Sequence, residues 1–276
     1  MPLITLTTDF GIKDHFVGAI KGAIYNEFSD AKVVDISHQI SPFNITETAY
    51  ILKNAYKSFP KGSIHIVGVD SELSIENKQI AILLDDHYFI CPDNGIISMI
   101  ASEIKPEKIV EITIHNTIVS SFNVLDVFVK VACHLLRGGT LEVIGKQISE
   151  FKKITEVLPS INDENNKIIG CIIYIDNYGN VISNITQKLF NDIGKGREFE
   201  VIARNYIFDK IFKKYNEIVN YSIPQENRQD DGKRLAIFNS AGFLQISIYK
   251  SNLSTVGGAN TLLGLGYRDT ITIKFK

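Results

Sequence analysis

The sequence predicts two domains: an α/β N-terminal domain with a mostly parallel sheet, and an all-β C-terminal domain with an antiparallel, barrel-like sheet. The first half of the 276 residues alternates β-branched runs with stretches whose apolar residues recur at helical spacing. The second half contains only short strand-like runs separated by Gly, Asn and Asp. We therefore predict an N-terminal domain over residues 1–150, a polar linker over residues 151–166 and a C-terminal domain over residues 167–276.

Each element of the first half has a local signal. Strands are predicted at "LITLTT", "AKVVDIS", "SIHIVGVD" and "EKIVEITI". Helices are predicted at "DHFVGAIKGAIYNEF", "NITETAYILKNAYKSF" and "NVLDVFVKVACHLLRGG", and the second of these begins with Asn44 and Glu47 at the spacing of a capping box. The run "QIAILLDDHYFICPDNG" predicts a hairpin that turns near Asp85-Asp86. Strands that alternate with helices predict a sheet covered on both faces.

The second half is predicted from a repeating alternation of short apolar runs and turn residues. Its strands are "IIGCIIYID", "NVISNI", "EFEVIA", "RLAIFNS", "FLQISIY" and "DTITIKF". Short strands at this spacing, with no helical stretch between them, are typical of a small sandwich or barrel.

The composition excludes several classes of protein. A net charge of −2, from 29 basic and 31 acidic residues, gives no electrostatic reason to expect a nucleic-acid or membrane partner. Cys91, Cys133 and Cys171 lie far apart within apolar runs, which indicates buried thiols and neither a disulfide framework nor a metal site. We find no signal-peptide pattern and no apolar run of membrane-spanning length, so we expect a cytoplasmic protein.

Polar side chains follow three predicted strands of the first half. Asp9 ends "LTTD", Ser37-His38 end "VVDISH" and Asp70 ends "VGVD". Ligands of open parallel sheets bind outside the carboxyl ends of the strands, so these groups predict a binding site along one edge. Each aspartate taken alone is also compatible with an ordinary turn residue.

The stretch "YIDNYGNVISN" of the second half combines an aromatic ring with several amides. Tyr178 offers a face for stacking, and Asn180 offers a donor and an acceptor, which together suit the ring and edge of a purine. Asn and Gly are also the residues that hairpin turns require, so a purely structural turn is the open alternative.

Four ordered motifs, "TTDFGIKDHFVGAIKG", "PDNGIIS", "IDNYGNVISNI" and "FNSAGFLQIS", resemble the S-adenosylmethionine hydrolase (hydroxide adenosyltransferase) family, which is related to fluorinases and chlorinases. The resemblance covers nearly the whole chain. It implies the same two-domain fold, and a homotrimer that binds its small adenosyl ligand between the N-terminal domain of one subunit and the C-terminal domain of the next. It also implies water attack at ribose C5′, which releases adenosine and methionine. S-adenosylmethionine is then the substrate, and no further cofactor or metal is implied.

The resemblance assigns four ligand contacts to the first half. Asp9 matches the carboxylate that binds the ribose hydroxyls, and Asp14 matches a position near the methionine amino group. Phe43 matches an aromatic position beside the ribose, and Phe122 matches a wall of the C5′ pocket. Helix capping is the alternative for the two aspartates, and core packing is the alternative for the two phenylalanines.

Four further contacts are assigned to the second half. By the same resemblance, Asp176 matches a position near the methionine amine, and Tyr178 matches the aromatic residue that stacks on adenine. Asn180 matches the amide at the adenine edge, and Ser240 matches a residue that hydrogen-bonds the methionine carboxylate. Ala241 stands where the fluorinases have an arginine for this carboxylate, so adenosine itself is an alternative ligand.

The residues that handle water depart from the family pattern. The hydrolases use an Asp-Arg-His set; Asp70 matches the Asp, whereas Asn77 replaces the Arg and Asn123 replaces the His. An asparagine can bind water, but it carries no charge and does not titrate. We therefore predict a catalytic set of Asp70, Asn77 and Asn123 with impaired water activation. Lys78 is a candidate for the missing charge, although strand alternation points it to the opposite face from Asn77.

Two alternatives to hydrolysis remain open. A chain that retains the nucleoside contacts and loses the chemistry would be a non-catalytic S-adenosylmethionine or adenosine binder. A SAM-dependent halogenase ranks last, because the hairpin at "LLDDHYF" lacks the fluorinase insertion and Val124 replaces a small or hydroxylic residue that frames the halide.

Overall fold

The computed structural model describes residues 3–101, 104–114, 121–155 and 157–276. Its contacts divide the chain into an N-terminal unit and a C-terminal unit, with the division between residues 156 and 157. The polar segment of residues 151–166, predicted as a linker, is therefore shared between the two units.

The N-terminal unit is built on a mixed sheet whose strand order is β2-β1-β3-β5-β4-β6-β7. Its strands are β1 (Ile4–Thr8), β2 (Val33–Ser37), β3 (Ile64–Gly68), β4 (Gln79–Leu84), β5 (His87–Pro92), β6 (Lys108–Ile112) and β7 (Gly145–Gln147). The pairings from β2 through β1 and β3 to β5 are parallel. The pairings from β5 through β4 and β6 to β7 are antiparallel. The predicted α/β class holds, but the sheet is mixed rather than mostly parallel.

The change of direction begins at the β4–β5 hairpin. Only Asp85 and Asp86 connect these strands, with φ of 55° and 61°. Two left-handed residues in succession form the tight turn that matches strand twist, and aspartate tolerates this conformation. So short a connection can only join antiparallel neighbours, whereas a parallel pair needs a long crossover.

Helices cover both faces of the sheet. They are α1 (Phe16–Glu27), α2 (Ile45–Ala55), α3 (Ile96–Ile100) and α4 (Val129–Leu136). On one face, α1 and α4 pack over the strands and bury Ile20, Ile24 and Val131. On the other face, α2 and α3 bury Leu52 and Ile97. Side chains of β4 alternate between these two layers, as the period of a strand requires.

The helix starts test two sequence predictions. Asn44 is confirmed as the N-cap of α2, since its Oδ1 accepts the backbone N–H of Glu47 at 3.0 Å, but the full capping box is not formed. The reciprocal bond goes to the backbone N–H of Ser41, at 3.2 Å from Glu47 Oε2. In α1 the N-cap residue is His15, without a side-chain hydrogen bond, so helix capping by Asp14 is wrong.

The predicted helix at "NVLDVFVKVACHLLRGG" begins irregularly. Residues Val124–Phe128 form a π-helical turn that leads into α4. Such turns insert one extra residue per hydrogen-bonded ring and occur frequently at functional sites. The turn directly follows Asn123, one of the predicted catalytic residues.

The C-terminal unit is a curved sheet with strand order β12-β11-β16-β9-β10-β15-β14-β13, and β8 pairs with β9. The strands are β8 (Ser160–Ile161), β9 (Lys167–Ile175), β10 (Val181–Thr186), β11 (Phe199–Ala203), β12 (Tyr206–Phe208), β13 (Ile211–Phe212), β14 (Arg234–Phe238), β15 (Phe243–Ile248) and β16 (Thr270–Phe275). The edge strands β12 and β13 are consecutive in the chain, so the sheet curls toward itself like a barrel.

Two details of this unit differ from the all-β antiparallel prediction. Strands β13 and β14 pair in parallel, whereas the other pairings are antiparallel. Two short helices are present, α5 (Gln187–Gly194) and α6 (Ala259–Leu262). Helix α5 begins where β10 ends, because Thr186 Oγ1 accepts the N–H of Leu189 at 3.1 Å and caps the helix.

The described residues also bear on the exclusions drawn from composition. The three cysteines are free thiols, and burial raises the pKa of Cys91 well above its usual value. Within the described ranges, no group of three or more His, Cys, Asp or Glu is placed to hold a metal ion. In the same ranges, no helix has the length and apolar character needed to cross a membrane.

A buried histidine pair lies where β3 and β5 begin, at the strand ends opposite the predicted site. His65 has no exposed surface, and its ring nitrogens lie 2.7 Å from Thr5 Oγ1 and 3.1 Å from His87 Nδ1. The ring stacks on Phe89 with centroids 4.8 Å apart. Burial, followed by the neighbouring His87, lowers the pKa of His65 to about 3.

This pair predicts acid sensitivity. The unfolded His65 takes up a proton near pH 6.5, whereas the folded one does so near 3, so stability is complete above pH 6.5 and falls as pH drops. From pH 7 to 5 the loss attributable to His65 is about 2 kcal/mol. Urea unfolding at both pH values should show this loss reduced in His65→Leu but retained in the surface control His15→Leu. An equal loss in wild type and His65→Leu would contradict the prediction.

Candidate active site

Asp9 and Asp70 lie just beyond the ends of the paired parallel strands β1 and β3. Asp9 Oδ2 accepts the backbone N–H of Phe43 at 2.9 Å. The backbone N–H of Asp70 also donates to the Asp9 carboxylate. Burial raises the pKa of the Asp9 carboxyl, the backbone N–H groups oppose that rise, and the charge of Asp70 adds to it. The predicted strand-end site thus brings two acidic groups within electrostatic reach of each other.

Two residues of this cluster have a strained backbone. Asp70 has a φ of 48° and Phe43 a φ of 62°, in the left-handed region that only glycine adopts without cost. Neighbouring amides hold the chain there, since Asn94 Nδ2 donates to the carbonyl of Val69 at 3.1 Å and Asn77 Nδ2 donates to that of Asp70 at 2.8 Å. Successive carbonyls are thus held by two asparagine side chains.

Asn77 holds the loop that follows Asp70. Its Nδ2 also donates to the carbonyl of Glu72 at 3.0 Å, and its backbone N–H donates to Ser74 Oγ at 3.0 Å. Both amide donors are therefore used by the loop, while Oδ1 is buried without a hydrogen-bond partner among the described residues. The geometry gives Asn77 a structural role and leaves only an acceptor atom for water.

Aromatic rings form one side of the site. Phe122 meets Phe10 edge-on at 5.5 Å and Phe16 edge-on at 5.3 Å, and it packs against the core below α1 and α4. Gly68, at the end of β3, leaves room for the side chains of this cluster. A Cβ there would lie 3.0 Å from Val124 Cγ2 and 3.3 Å from the Phe10 ring. Phe43 differs, since it is 73% exposed and therefore does not belong to the core.

The remaining predicted residues of the N-terminal unit lie at its periphery. Asp14 is exposed in the loop between β1 and α1. Asn123 is half-buried and opens the π-helical turn without capping it. Lys78 pairs with Glu111 at 2.9 Å, so it is already engaged with a carboxylate and does not supply the missing charge.

The third polar strand end ties β2 to β1. His38 Nδ1 lies 2.7 Å from Thr8 Oγ1, and both side chains are buried. His38 Nε2 lies 3.1 Å from Asp35 Oδ1, an ion-pair distance without hydrogen-bond alignment. Asp35 also binds Lys21 at 2.6 Å. This chain of contacts fixes the strand ends beside Asp9.

In the C-terminal unit, Asp176 organises the β9–β10 hairpin. Its Oδ1 accepts the backbone N–H groups of Tyr178 and Asn180, each at 2.9 Å, and its Oδ2 accepts Asn180 Nδ2 at 2.8 Å. These bonds occupy most of the acceptor capacity of a carboxylate. Asp176 therefore fixes the orientation of the Asn180 amide, a function that the sequence prediction did not include.

The β9–β10 hairpin places the Tyr178 ring beside the amide oxygen of Asn180. Tyr178 is 63% exposed, whereas Asn180 is 5% exposed and its Oδ1 has no hydrogen-bond partner within the described chain. Gly179, with a φ of 74°, lies between them, and a Cβ there would lie 2.5 Å from Asn260 Oδ1 and 2.7 Å from Leu253. Only glycine fits this turn.

Ser240 lies in a different turn from Tyr178 and Asn180. It is exposed between β14 and β15, where Asn239 Oδ1 accepts the N–H groups of two nearby residues. Because β15 runs antiparallel to β10, this turn adjoins the end of β10 at Thr186, away from the β9–β10 hairpin. The structure does not bring Ser240 into the hairpin cluster.

Sequence reasoning missed two polar residues at the N-terminal site. Asn94 and Gln79 are both buried beside the ends of β3 and β5. A signal for Gln79 was present, because it is a polar residue at the start of the apolar run "QIAILL".

Comparisons with known proteins extend over both units. A family model described as SAM hydroxide adenosyltransferase N-terminal domain matches residues 4–145, and the corresponding C-terminal domain model matches residues 170–272. A two-unit fold with acidic strand ends and an aromatic-amide hairpin is thus found in a chain that matches both domains of one family. The chain belongs to the SAM hydroxide adenosyltransferase family.

Individual relatives agree with this assignment. The (R)-S-adenosyl-L-methionine hydrolase of Methanocaldococcus jannaschii is 33% identical over 283 residues, which covers 99% of this chain and 96% of that protein. A fluorinase of Actinopolyspora mzabensis is 20% identical over 225 residues, covering 71% of this chain and 75% of its own. The crystal structure of a conserved protein from Thermotoga maritima matches with a TM-score of 0.84 at 28% identity, covering 99% of this chain and 100% of that chain.

The structural role of Asn77 is testable. Asn77→Ala should lower the free energy of unfolding by about 1–3 kcal/mol, because the half-buried carbonyl of Asp70 and the exposed carbonyl of Glu72 lose their donor. Asn77→Asp should cost more, since a carboxylate would face the same carbonyls. Asn54→Ala is the matched control, because Asn54 Nδ2 donates to the Tyr50 carbonyl on an exposed helix surface. Urea unfolding of both Asn77 variants at the wild-type midpoint would contradict this role.

Proposed function

We propose that the chain hydrolyses S-adenosylmethionine to adenosine and methionine by attack of water on the ribose C5′ carbon. The observation that carries the proposal is the placement of Asp9 and Asp70 at the ends of adjacent parallel strands, within electrostatic reach of each other. The name of the Methanocaldococcus jannaschii relative, which this chain matches over 99% of its length, supports the same substrate and reaction.

The reaction requires the enzyme mainly to place the water, the C5′ carbon and the sulfur in line. Water forms a bond to C5′ as the bond from C5′ to the sulfonium sulfur breaks, and methionine leaves as a neutral thioether. The electron pair goes to sulfur, so no acid is needed for the leaving group. The water proton passes to a base, and Asp70 is the carboxylate placed for this. Alignment of water, carbon and sulfur supplies most of the rate enhancement.

In this proposal the N-terminal unit holds the ribose and the reacting carbon. The ionised Asp9 accepts hydrogen bonds from the ribose hydroxyls with its remaining acceptor capacity. Phe122 forms the wall of the C5′ pocket, and the exposed Phe43 covers the sugar. Asp14, exposed on its loop, attracts the methionine amino group. Asn123, next to Phe122 in the chain, is a neutral group at the position of the family histidine.

The C-terminal unit holds the base and the amino-acid end. Tyr178 stacks on the adenine, and Asn180 Oδ1 accepts a hydrogen bond from its exocyclic amino group. Oδ1 is the atom of this amide that remains available to the adenine, because Asn180 Nδ2 already donates to Asp176. Asp176 retains limited capacity for the methionine amine. Ser240, whose turn adjoins the other end of β10, is assigned to the methionine carboxylate by the family resemblance alone. The reaction needs no further cofactor and no metal.

We further propose a cytoplasmic homotrimer without nucleic-acid or membrane partners, in which each site combines the N-terminal unit of one subunit with the C-terminal unit of the next. The support for shared sites is chemical. The residues proposed for ribose and for adenine belong to different units of the chain, and each set alone binds only part of the ligand.

A non-catalytic binder of S-adenosylmethionine or adenosine is the second candidate. It is favoured by one observation, that both amide donors of Asn77 are used by the loop and so cannot activate water. Halogenase activity ranks below both. The turn at Asp85 and Asp86 contains no insertion, Val124 is the side chain at the position that frames halide, and the fluorinase relative is only 20% identical.

Incubation with S-adenosylmethionine separates these candidates. We expect adenosine and methionine to be released in equal amounts, followed by chromatography, with binding measured by calorimetry on the same protein. Binding without adenosine release would favour the non-catalytic binder. Failure to bind either S-adenosylmethionine or adenosine would overturn both readings.

The pH dependence of turnover should reflect Asp9. The ionised carboxylate accepts charge-assisted hydrogen bonds from both ribose hydroxyls, and protonation weakens them, so kcat/KM should fall as pH drops through the pKa of Asp9. Because burial raises that pKa, the fall should begin at a higher pH than for an ordinary aspartate near 3.9. Asp9→Asn should lower kcat/KM by about 100-fold or more and remove this acid limb. An Asp9→Asn variant with wild-type kcat/KM would exclude the assigned contact.

Shared sites predict complementation between inactive variants. Asp9→Asn and Tyr178→Ala should each be nearly inactive as pure trimers. Mixed trimers contain sites that draw the intact N-terminal unit from one variant and the intact C-terminal unit from the other. Random mixing should restore about one quarter of the wild-type sites. Mixtures that stay as inactive as the separate variants would show that each subunit forms its site alone.

A further inference from the structure

Gln79, the first residue of β4, is a polar side chain in a fully buried position. It has no exposed surface, and neither Oε1 nor Nε2 has a hydrogen-bond partner among the described residues. Its strand neighbour across the ladder is Pro92, which has no N–H to offer. An unpaired buried amide is unfavourable, and methionine of similar size would avoid the penalty. The glutamine therefore indicates a ligand that uses its amide.

The side chain faces the layer that contains the candidate site. Ala81, two residues along β4, belongs to the core under α1 and α4, whereas Ile80 and Ile82 belong to the opposite layer. Strand alternation puts Gln79 on the same face as Ala81. Phe122 and Val124, which flank Asn123, pack in that same layer.

A second unpaired group lies two residues earlier. Asn77 Oδ1 is buried without a partner, while Asn77 Nδ2 donates to the carbonyl of Asp70 at 2.8 Å. The unpaired atoms are therefore one donor group and two acceptors on a segment that is hydrogen-bonded to the loop of Asp70. A buried water molecule typically makes two to four hydrogen bonds, and this set suits one water.

We propose that Gln79, together with Asn77, binds the water molecule that attacks the ribose C5′ carbon. The inference rests on the proposed hydrolase function and deepens it. Gln79 Nε2 donates to the water oxygen, Asn77 Oδ1 accepts one water proton, and the Asp70 carboxylate accepts the other. The second lone pair of the oxygen forms the bond to C5′ as the bond from C5′ to sulfur breaks. The proton directed at Asp70 transfers to that carboxylate.

This arrangement explains how neutral residues replace an arginine and a histidine. A carboxamide orients water without changing its pKa, so it does not generate hydroxide. A sulfonium carbon is already an activated electrophile, and the departing thioether is neutral. The chain's own residues therefore need mainly to orient the water molecule beside one carboxylate.

The test replaces the amide and keeps its volume. Gln79→Met should lower kcat by about 100-fold while KM stays within about threefold, as expected for loss of one hydrogen-bond donor acting in the transition state. Its unfolding midpoint should equal or exceed that of wild type, because an unpaired buried amide is removed. Gln79→Glu should make kcat fall as pH rises, because only the protonated carboxyl can donate a hydrogen bond to the water. Gln147→Met, at an exposed glutamine of β7, is the matched control and should keep wild-type kinetics.

A ligand-free crystal structure at about 1.6 Å resolution gives a readout without turnover: a water within about 3 Å of both the Gln79 amide and Asn77 Oδ1. Absence of that water, or wild-type kcat in Gln79→Met, would overturn the inference while leaving the hydrolase proposal intact. If wild type releases no adenosine, the proposed function and the catalytic role of this water both fail. The crystal structure then decides whether Gln79 and Asn77 bind water at all.

Discussion

The hydrogen bonds to the Asp9 carboxylate are the interaction on which the N-terminal site depends. This side chain accepts backbone N–H groups from Phe43 and Asp70, so one carboxylate joins the end of β1 to the end of β3 and to the loop before α2. Both donors belong to residues with left-handed backbone conformations, which persist only where surrounding contacts determine them. Burial raises the pKa of Asp9, and the N–H groups compensate in part. These contacts therefore fix the positions of Asp9 and Asp70 at the strand ends.

Hydrogen bonds of asparagine side chains fix the geometry around the acidic residues of each unit. Asn94 and Asn77 hold the carbonyls of Val69 and Asp70, and the hairpin of the other unit uses the same principle, since Asp176 holds the Asn180 amide. In Asn77 and Asn180 these bonds use the donor side of the amide and leave Oδ1 unpaired among the described residues. Asn94 Oδ1, in contrast, accepts the backbone N–H of Ile96 at 3.2 Å. In the proposed function, the chain therefore directs water and nucleoside with oriented dipoles. Such a site depends on fixed geometry, because a neutral amide gains little when it is displaced.

The sequence predicted elements whose signals are local. The Asn44 N-cap and the Asp85-Asp86 hairpin follow from spacing and turn chemistry, and the structure confirms both. The antiparallel half of the sheet was not predicted, because strand direction beyond a hairpin depends on tertiary pairing. The loop role of Asn77 was missed for a related reason, since its partners are backbone carbonyls, which sequence patterns do not reveal. Gln79 carried a visible signal, but its meaning required knowing that it is buried and unpaired.

A crystal structure of the protein with adenosine tests the central claim most directly. The account predicts the ribose hydroxyls within about 3 Å of the Asp9 carboxylate, the C5′ carbon beside Phe122 and the adenine ring stacked on Tyr178 of a neighbouring copy. A nucleoside bound elsewhere, with the Asp9 carboxylate still bonded only to backbone N–H groups, would contradict it. That result would leave the acidic strand ends as structural features of the sheet edge and would require a different site for the family reaction.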